Sequence, residues 1–112
     1  MLKKVFRLSK KKDFESIFKN GVFFSGPGMS LRAKKNDLAY SRFAVVTSLK
    51  VSKKAVERNR LRRQITEVLR KRFDRIGKGF DAVFIVKKDL LEKKYGQIET
   101  EVEKILKKAR IL

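Results

Sequence analysis

The chain has 112 residues, the size of one domain with a real core, and 42% of them are hydrophobic, which excludes wholesale disorder. Its formal net charge of +19, from 31 Lys and Arg against 12 Asp and Glu, is spread along the chain, and self-repulsion on that scale favours a polyanionic partner: nucleic acid first, an anionic membrane surface second. With no Cys and no His, disulfides, thiolate or imidazole metal sites and the commonest general base are excluded, and no apolar run approaches the roughly 18 residues of a membrane span.

In chain order, Ser9 is placed to cap a short helix, Lys10 to Lys19, closed by Asn20-Gly21. Phe14 and Phe18 stand four apart on one face with Ile17 beside them, a spacing that suits core packing as readily as ligand contact. Gly21 to Ser25 suggests a short strand, broken by the Gly26-Pro27-Gly28 turn, and Met29 to Ala33 alternates as a half-buried strand. Lys34 to Leu38 reads as a polar hairpin loop, and Tyr40 to Ser48, β-branched and aromatic, as a central strand. Leu49 to Lys54 is a basic connection in which Ser52 offers a cap for the next helix.

That helix lies within Lys50 to Arg75, where eleven cations face only Glu57, Glu67 and Asp74. Leu61, Ile65, Val68, Leu69 and Phe73 form its core stripe. At about 100° per residue, Asn59, Arg63 and Arg70 fall opposite that stripe, Arg58 and Arg62 on one flank, Arg60 and Lys71 on the other. Gly77-Lys78-Gly79 turns the chain into a second central strand, Phe80 to Lys88. A final helical region begins at Asp89, with its stripe at Ile98, Val102, Ile105, Leu106 and Ala109; Gly96 weakens it, so Asp89–Lys94 can stand apart. The whole is a single-domain α+β sandwich over residues 1–112, in the order α-β-β-α-β-α with Gly21–Ser25 as a candidate third early strand. Strand–helix–strand from Tyr40 to Lys88 predicts two parallel neighbours.

The carboxylates are scattered, the serines have no base partner, and the glycines lack phosphate-loop spacing, so the chain is not expected to be a catalyst by itself. Glu99 and Glu103 read as a solvated face paired with nearby Lys104 and Lys107. The arginines point to phosphate, because a guanidinium presents a planar fork of donors that matches two phosphate oxygens and also stacks on bases. A nuclease, a structural RNA-binding protein of ribosomal type and a DNA-binding regulator remain alternatives, although nothing resembles a helix-turn-helix pair.

Lys53 to Arg63, KKAVERNRLRR, resembles the signature segment of the bacterial ribonuclease P protein subunit, roughly KxAVxRNRxKR. Asp13-Phe14-x-x-x-Phe18-x-x-Gly21 is similar to the family's first-helix motif, and Arg42-Phe43-Ala44-Val45-Val46 to one of its main strands. The resemblance implies an α+β sandwich (ribosomal S5 domain 2-like) whose β-α-β crossover is left-handed, where general rules predict the right-handed connection in about 98% of cases. It also implies a small noncatalytic partner of a catalytic RNA that uses Mg²⁺ to remove the 5′ leader of precursor tRNA. No protein-bound cofactor, DNA or membrane is expected, one protein is expected for each RNA, and the expected location is the cytoplasm.

By the same resemblance Lys53, Lys54, Arg58, Asn59, Arg60, Arg62, Arg63 and Arg70 form the RNA-binding set, with no catalytic or metal-binding residue in the chain. Phe14, Phe18, Arg32, Arg42 and Phe43 line the cleft for the single-stranded leader. Two departures stand out. Lys53-Lys54 replaces the Gly-Asn that many members carry, and Arg32 occupies a cleft position that is aromatic in many members.

Overall fold

In the computed structural model, which describes residues 2–112, four strands form one mixed sheet: β1 (Val22–Ser25), β2 (Met29–Lys35), β3 (Arg42–Val46) and β4 (Phe80–Val86), in the order β1-β2-β4-β3. β1–β2 and β2–β4 are antiparallel, while β3 and β4 are the parallel neighbours expected of a strand–helix–strand unit. Three helices complete the fold: α1 (Lys11–Asn20), α2 (Ala55–Lys71) and α3 (Tyr95–Lys108).

Side-chain alternation along the strands divides the sheet into two unlike faces. On one, Met29, Leu31, Ala33, Phe43, Ala82, Phe84 and Val86 bury against the apolar stripes of α2 and α3, which include Leu61, Ile65, Leu69, Ile98, Val102 and Leu106. On the other, a smaller cluster of Leu8, Ile17 and Val83, with Phe14, Ala44 and Ile85 against it, holds α1 on the sheet. That second face is only partly covered, and the uncovered part becomes the site.

Several expectations are corrected. Tyr40–Ser48 is shorter and is an edge strand, not a central one: β3 spans Arg42–Val46 and pairs only with β4 and, through the Arg7–Phe43 bridge, with the N-terminal segment. β4 takes the centre because Ala82, Val83 and Phe84 are buried on both faces, whereas β3 alternates. The Lys34–Leu38 stretch is no hairpin loop, since β2 runs on to Lys35 and pairs with β4 instead of β3. The candidate strand at Gly21–Ser25 is real from Val22 onward. Neither serine is a helix cap. Lys10 and Lys54 occupy the N-cap positions without a side-chain cap bond. Ser52 sits two residues further out, where its Oγ accepts the Lys54 N–H at 3.0 Å and donates to Glu57 Oε1 at 2.6 Å, securing the first turn from outside.

The core stripe of α2 is as read, but the helix stops at Lys71 and Phe73 packs from a separate 3-10 turn, Phe73–Arg75. Lys88–Glu92 likewise forms its own 3-10 turn, and α3 starts at Tyr95, so Gly96 falls in the first turn. Glu99 and Glu103 are not a solvated face: both grip Arg72, just past the end of α2, at 2.9 and 2.5 Å, locking the two helices together. The bond from Arg72 holds the Glu103 carboxyl below the usual carboxylate range. At the end of α1, a side chain on Gly21 would collide with the Ile17 carbonyl oxygen, which is why the chain turns onto β1 there with a glycine.

Candidate nucleic-acid interface

The exposed ridge of α2 carries Asn59, Arg63 and Arg70, as helical phase requires, and Arg58, Arg60 and Arg62 are half-buried on its flanks. Their surroundings differ. The side chains of Lys53, Lys54 and Arg63 are exposed and make no hydrogen bond or ion pair among the described residues. Arg58 Nη1 donates to the Ser52 carbonyl at 2.9 Å, and Arg62 donates from Nη1 to Thr47 Oγ1 at 2.9 Å and from Nη2 to Asn59 Oδ1. These acceptors are neutral, so both guanidinium groups are aimed without being neutralised, the condition for gripping phosphate.

Two members of the expected set are engaged differently. Arg60 Nη2 donates to the Leu91 carbonyl at 2.9 Å, tying α2 to the turn before α3, so it faces the interior flank. Arg70 forks onto Glu67 through Nε and Nη2, at 3.0 and 2.5 Å; this raises the guanidinium pKa further and lowers that of the Glu67 carboxyl.

The cleft lies on the other face of the sheet. The register aligns Phe23, Arg32, Val83 and Ala44 in one row across the four strands, and Ser25, Ser30, Ile85 and Val46 in the next. α1 is held over the sheet by three polar ties. Asp13 meets Arg42 Nη1 at 3.4 Å, Ser16 Oγ accepts from Lys34 Nζ at 2.6 Å, and the Phe18 carbonyl accepts from Arg32 Nη1 at 3.4 Å. In the second row Ile85 is half-buried and Val46 is exposed, leaving an apolar edge beside α1. Phe18 is 43% exposed at the rim, and Phe14 is half-buried against Ile17 and Val83.

Arg32 stacks between two rings, its Cζ 5.6 Å from the centroid of Phe18 and 5.1 Å from that of Phe23. The position where Arg32 departs from the aromatic of many family members thus holds a guanidinium packed on two phenyl rings. Arg42 is less free than the cleft assignment supposes: it lies under the first turn of α1 and is bound bidentately by buried Asp81, at 2.9 and 2.6 Å, which raises its pKa. Phe43 does not turn its ring toward α1, although it borders a small groove at the β3 edge beside Phe14. It is 2% exposed on the opposite face, with its ring 6.3 Å from those of Phe73 and Phe84. Strand parity explains the correction, because Arg42 and Ala44 face α1 and the residue between them cannot.

Ridge and cleft approach each other at the β3 edge. A groove of about 710 Å³ along α2 is lined by Arg7, Asn59, Arg62, Arg63 and Thr66, and an adjoining one of about 250 Å³, which meets the cleft at Phe14, by Arg7, Leu8, Phe43, Ala44, Arg62 and Thr66. Arg7, Arg62 and Thr66 border both. Arg7 and Phe23 escaped the sequence reading. The alternation of VFFS carried a signal for Phe23; Arg7 had none, because only the backbone bond from Leu8 to Phe43 at 2.9 Å lays the N-terminal segment beside α2.

Comparison with known proteins places these features in context. The family model described as Ribonuclease P matches residues 2–110. The ribonuclease P protein component of Synechococcus elongatus is 39% identical over 95% of this chain and 91% of its own length, and that of Clostridium beijerinckii is 34% identical over 94% and 89%. The ribonuclease P protein of Thermotoga maritima, solved with 1-(4-fluorophenyl)-2-thiourea, superposes with a TM-score of 0.84 at 34% identity, covering 90% of this chain and 97% of that one. A Staphylococcus aureus ribonuclease P protein structure gives a TM-score of 0.90 at 26% identity, over 96% and 98%.

Proposed function

The chain belongs to the bacterial ribonuclease P protein family, and from that premise we propose a division of labour between its two basic surfaces. It is the protein subunit of an endoribonuclease holoenzyme, partnered by the ribonuclease P RNA, in 5′ processing of tRNA. In our reading the RNA performs the cleavage, in the cytoplasm, with one protein per RNA, and the protein alone is inactive. The ridge of α2, with Lys53, Lys54, Arg58, Asn59, Arg62 and Arg63, grips phosphates of the RNA subunit. The cleft of Phe14, Phe18, Phe23 and Arg32 stacks the unpaired bases of the precursor leader, which any π-face can do with little regard to sequence.

The observation that carries this reading is a shared border: Arg62 and Arg7 line both the α2 groove and the smaller groove that contains Phe14, so a leader running past Phe14 would come within reach of residues assigned to the RNA subunit. Mg²⁺ belongs to the RNA in this scheme, where it would supply an activated water and charge stabilisation for the cleavage. In our reading the chain itself holds no resident cation. Among the described residues no three His, Cys, Asp or Glu converge, and Asp13, Asp81, Glu67, Glu99 and Glu103 are each engaged by an arginine.

Precursor-tRNA cleavage at low Mg²⁺, with protein alone, ribonuclease P RNA alone, and both together, tests the scheme. Activity is expected only with RNA present, and more of it with protein added. Cleavage by the protein alone would overturn the noncatalytic role; absence of stimulation would overturn the assisting one.

A further inference from the structure

A third surface lies apart from the leader cleft, at the far end of the phosphate-gripping ridge. At the C-terminal end of α2, Phe6, Tyr40 and Phe73 come together from three separate elements. Phe6 is 5.6 Å from Tyr40, edge to face, and 4.4 Å from Phe73. All three rings are half-buried, although residues around them such as Leu2, Ser41 and Ile76 are buried. They line a cavity of about 590 Å³, within the range of roughly 300–1,000 Å³ usual for ligand clefts. Lys3, Lys78 and Arg70 stand on its rim; of the acids nearby, Glu67 is spent on Arg70, leaving Asp74.

We propose that this aromatic pocket receives an unpaired nucleotide of the ribonuclease P RNA, the base against Tyr40 and Phe6 and its phosphates toward Lys3 and Lys78. Half-buried rings lining a cavity that also carries lysines match a nucleotide in both halves of its chemistry, apolar base and anionic backbone. The source is the RNA subunit rather than the leader because of position. Arg70 continues the exposed ridge of Asn59 and Arg63, so the pocket prolongs the α2 surface, whereas Phe14, Phe18 and Phe23 lie across the sheet. α2 would thus be held by phosphates along its N-terminal half and by a stacked base at its far end. The inference rests on the assignment of the α2 ridge to the RNA subunit.

The test uses the full chain and ribonuclease P RNA without substrate. Tyr40→Ala should weaken binding about tenfold with an unchanged salt slope, since a stack releases no counterions, while Tyr40→Phe, which keeps the ring, stays within about twofold of wild type. Lys3→Ala with Lys78→Ala should flatten the slope. Nitration by tetranitromethane supplies a readout that a purely structural role would not move. Tyr40 should react in the free protein and be protected by ribonuclease P RNA, but not by an isolated leader oligonucleotide. Wild-type affinity in Tyr40→Ala, or Tyr40 nitrated equally with and without the RNA, overturns the proposal; protection by the leader alone overturns the assigned source. If Arg58→Ala with Arg62→Ala leaves RNA binding intact while Tyr40 is still protected, the ridge assignment has failed and the pocket has not.

Discussion

The α2 helix and the cleft beside α1 are both basic, yet arginines in the two places are held in different ways. On the ridge, Arg58 and Arg62 are propped by a carbonyl, a hydroxyl and an amide, so their charge is oriented and left unspent. In the cleft, Arg42 is bound by Asp81 and Asp13, and Arg32 lies between two phenyl rings. The same side chain thus keeps its charge available at Arg58 and Arg62 and serves as scaffolding at Arg42. Counting positive charges misses this difference. What an arginine is bonded to decides which it is.

The comparison breaks most visibly at Arg42. Arg42→Ala leaves Asp81 buried without its bidentate partner, and a loss of about 3 kcal/mol is expected in chemical denaturation, with α1 loosened from the sheet. A variant as stable as wild type would mean that the network is decorative. Next in size, Arg58→Ala combined with Arg62→Ala should cut affinity for the RNA subunit by one to two orders of magnitude. It should also reduce the slope of log K against log salt by about 2, one for each phosphate no longer gripped. An unchanged slope would remove the ridge from the phosphate interface.

Phe18→Ala sharpens the contrast from the other side. The ring is exposed, so thermal stability should hardly move, while the preference for precursor over mature tRNA falls about tenfold, as expected when one stack is removed. Equal losses for both tRNAs would sink the stacking role. The smallest effect concerns neither surface but the clamp that keeps α2 and α3 together. The Glu103 carboxyl is lowered in the folded state by Arg72, so its contribution is fully present above the ordinary value of 4.5 and is lost as pH falls through the lower folded value. Melting temperatures below pH 4.5 should therefore drop less steeply in Glu103→Gln than in wild type. Between about pH 6 and 8, where the chain has no histidine to titrate, RNA binding should be flat.

Much of this was legible before any coordinates. The period of Leu61, Ile65, Val68 and Leu69 placed the buried stripe of α2 and, by the same angle, set Asn59, Arg63 and Arg70 outward; residue spacing on a helix is enough for that. Charge composition named a polyanion, and the motif from Lys53 to Arg63 named the family. Pairing was another matter. That Met29–Lys35 lies beside Phe80–Val86 and not beside the nearer Arg42–Val46, or that the N-terminal segment comes to rest along α2 and brings Arg7 and Phe6 with it, depends on residues distant in sequence meeting in space. The same holds for the fate of each charge. Arg42 and Arg62 are alike as letters, and only the fold puts buried Asp81 against one and neutral Thr47 against the other. Local sequence determined which residues each helix and strand would present; the tertiary structure decided which of those groups were spent on each other and which were left for RNA, because a hydrogen bond or ion pair across the fold is a property of two positions that no single stretch contains.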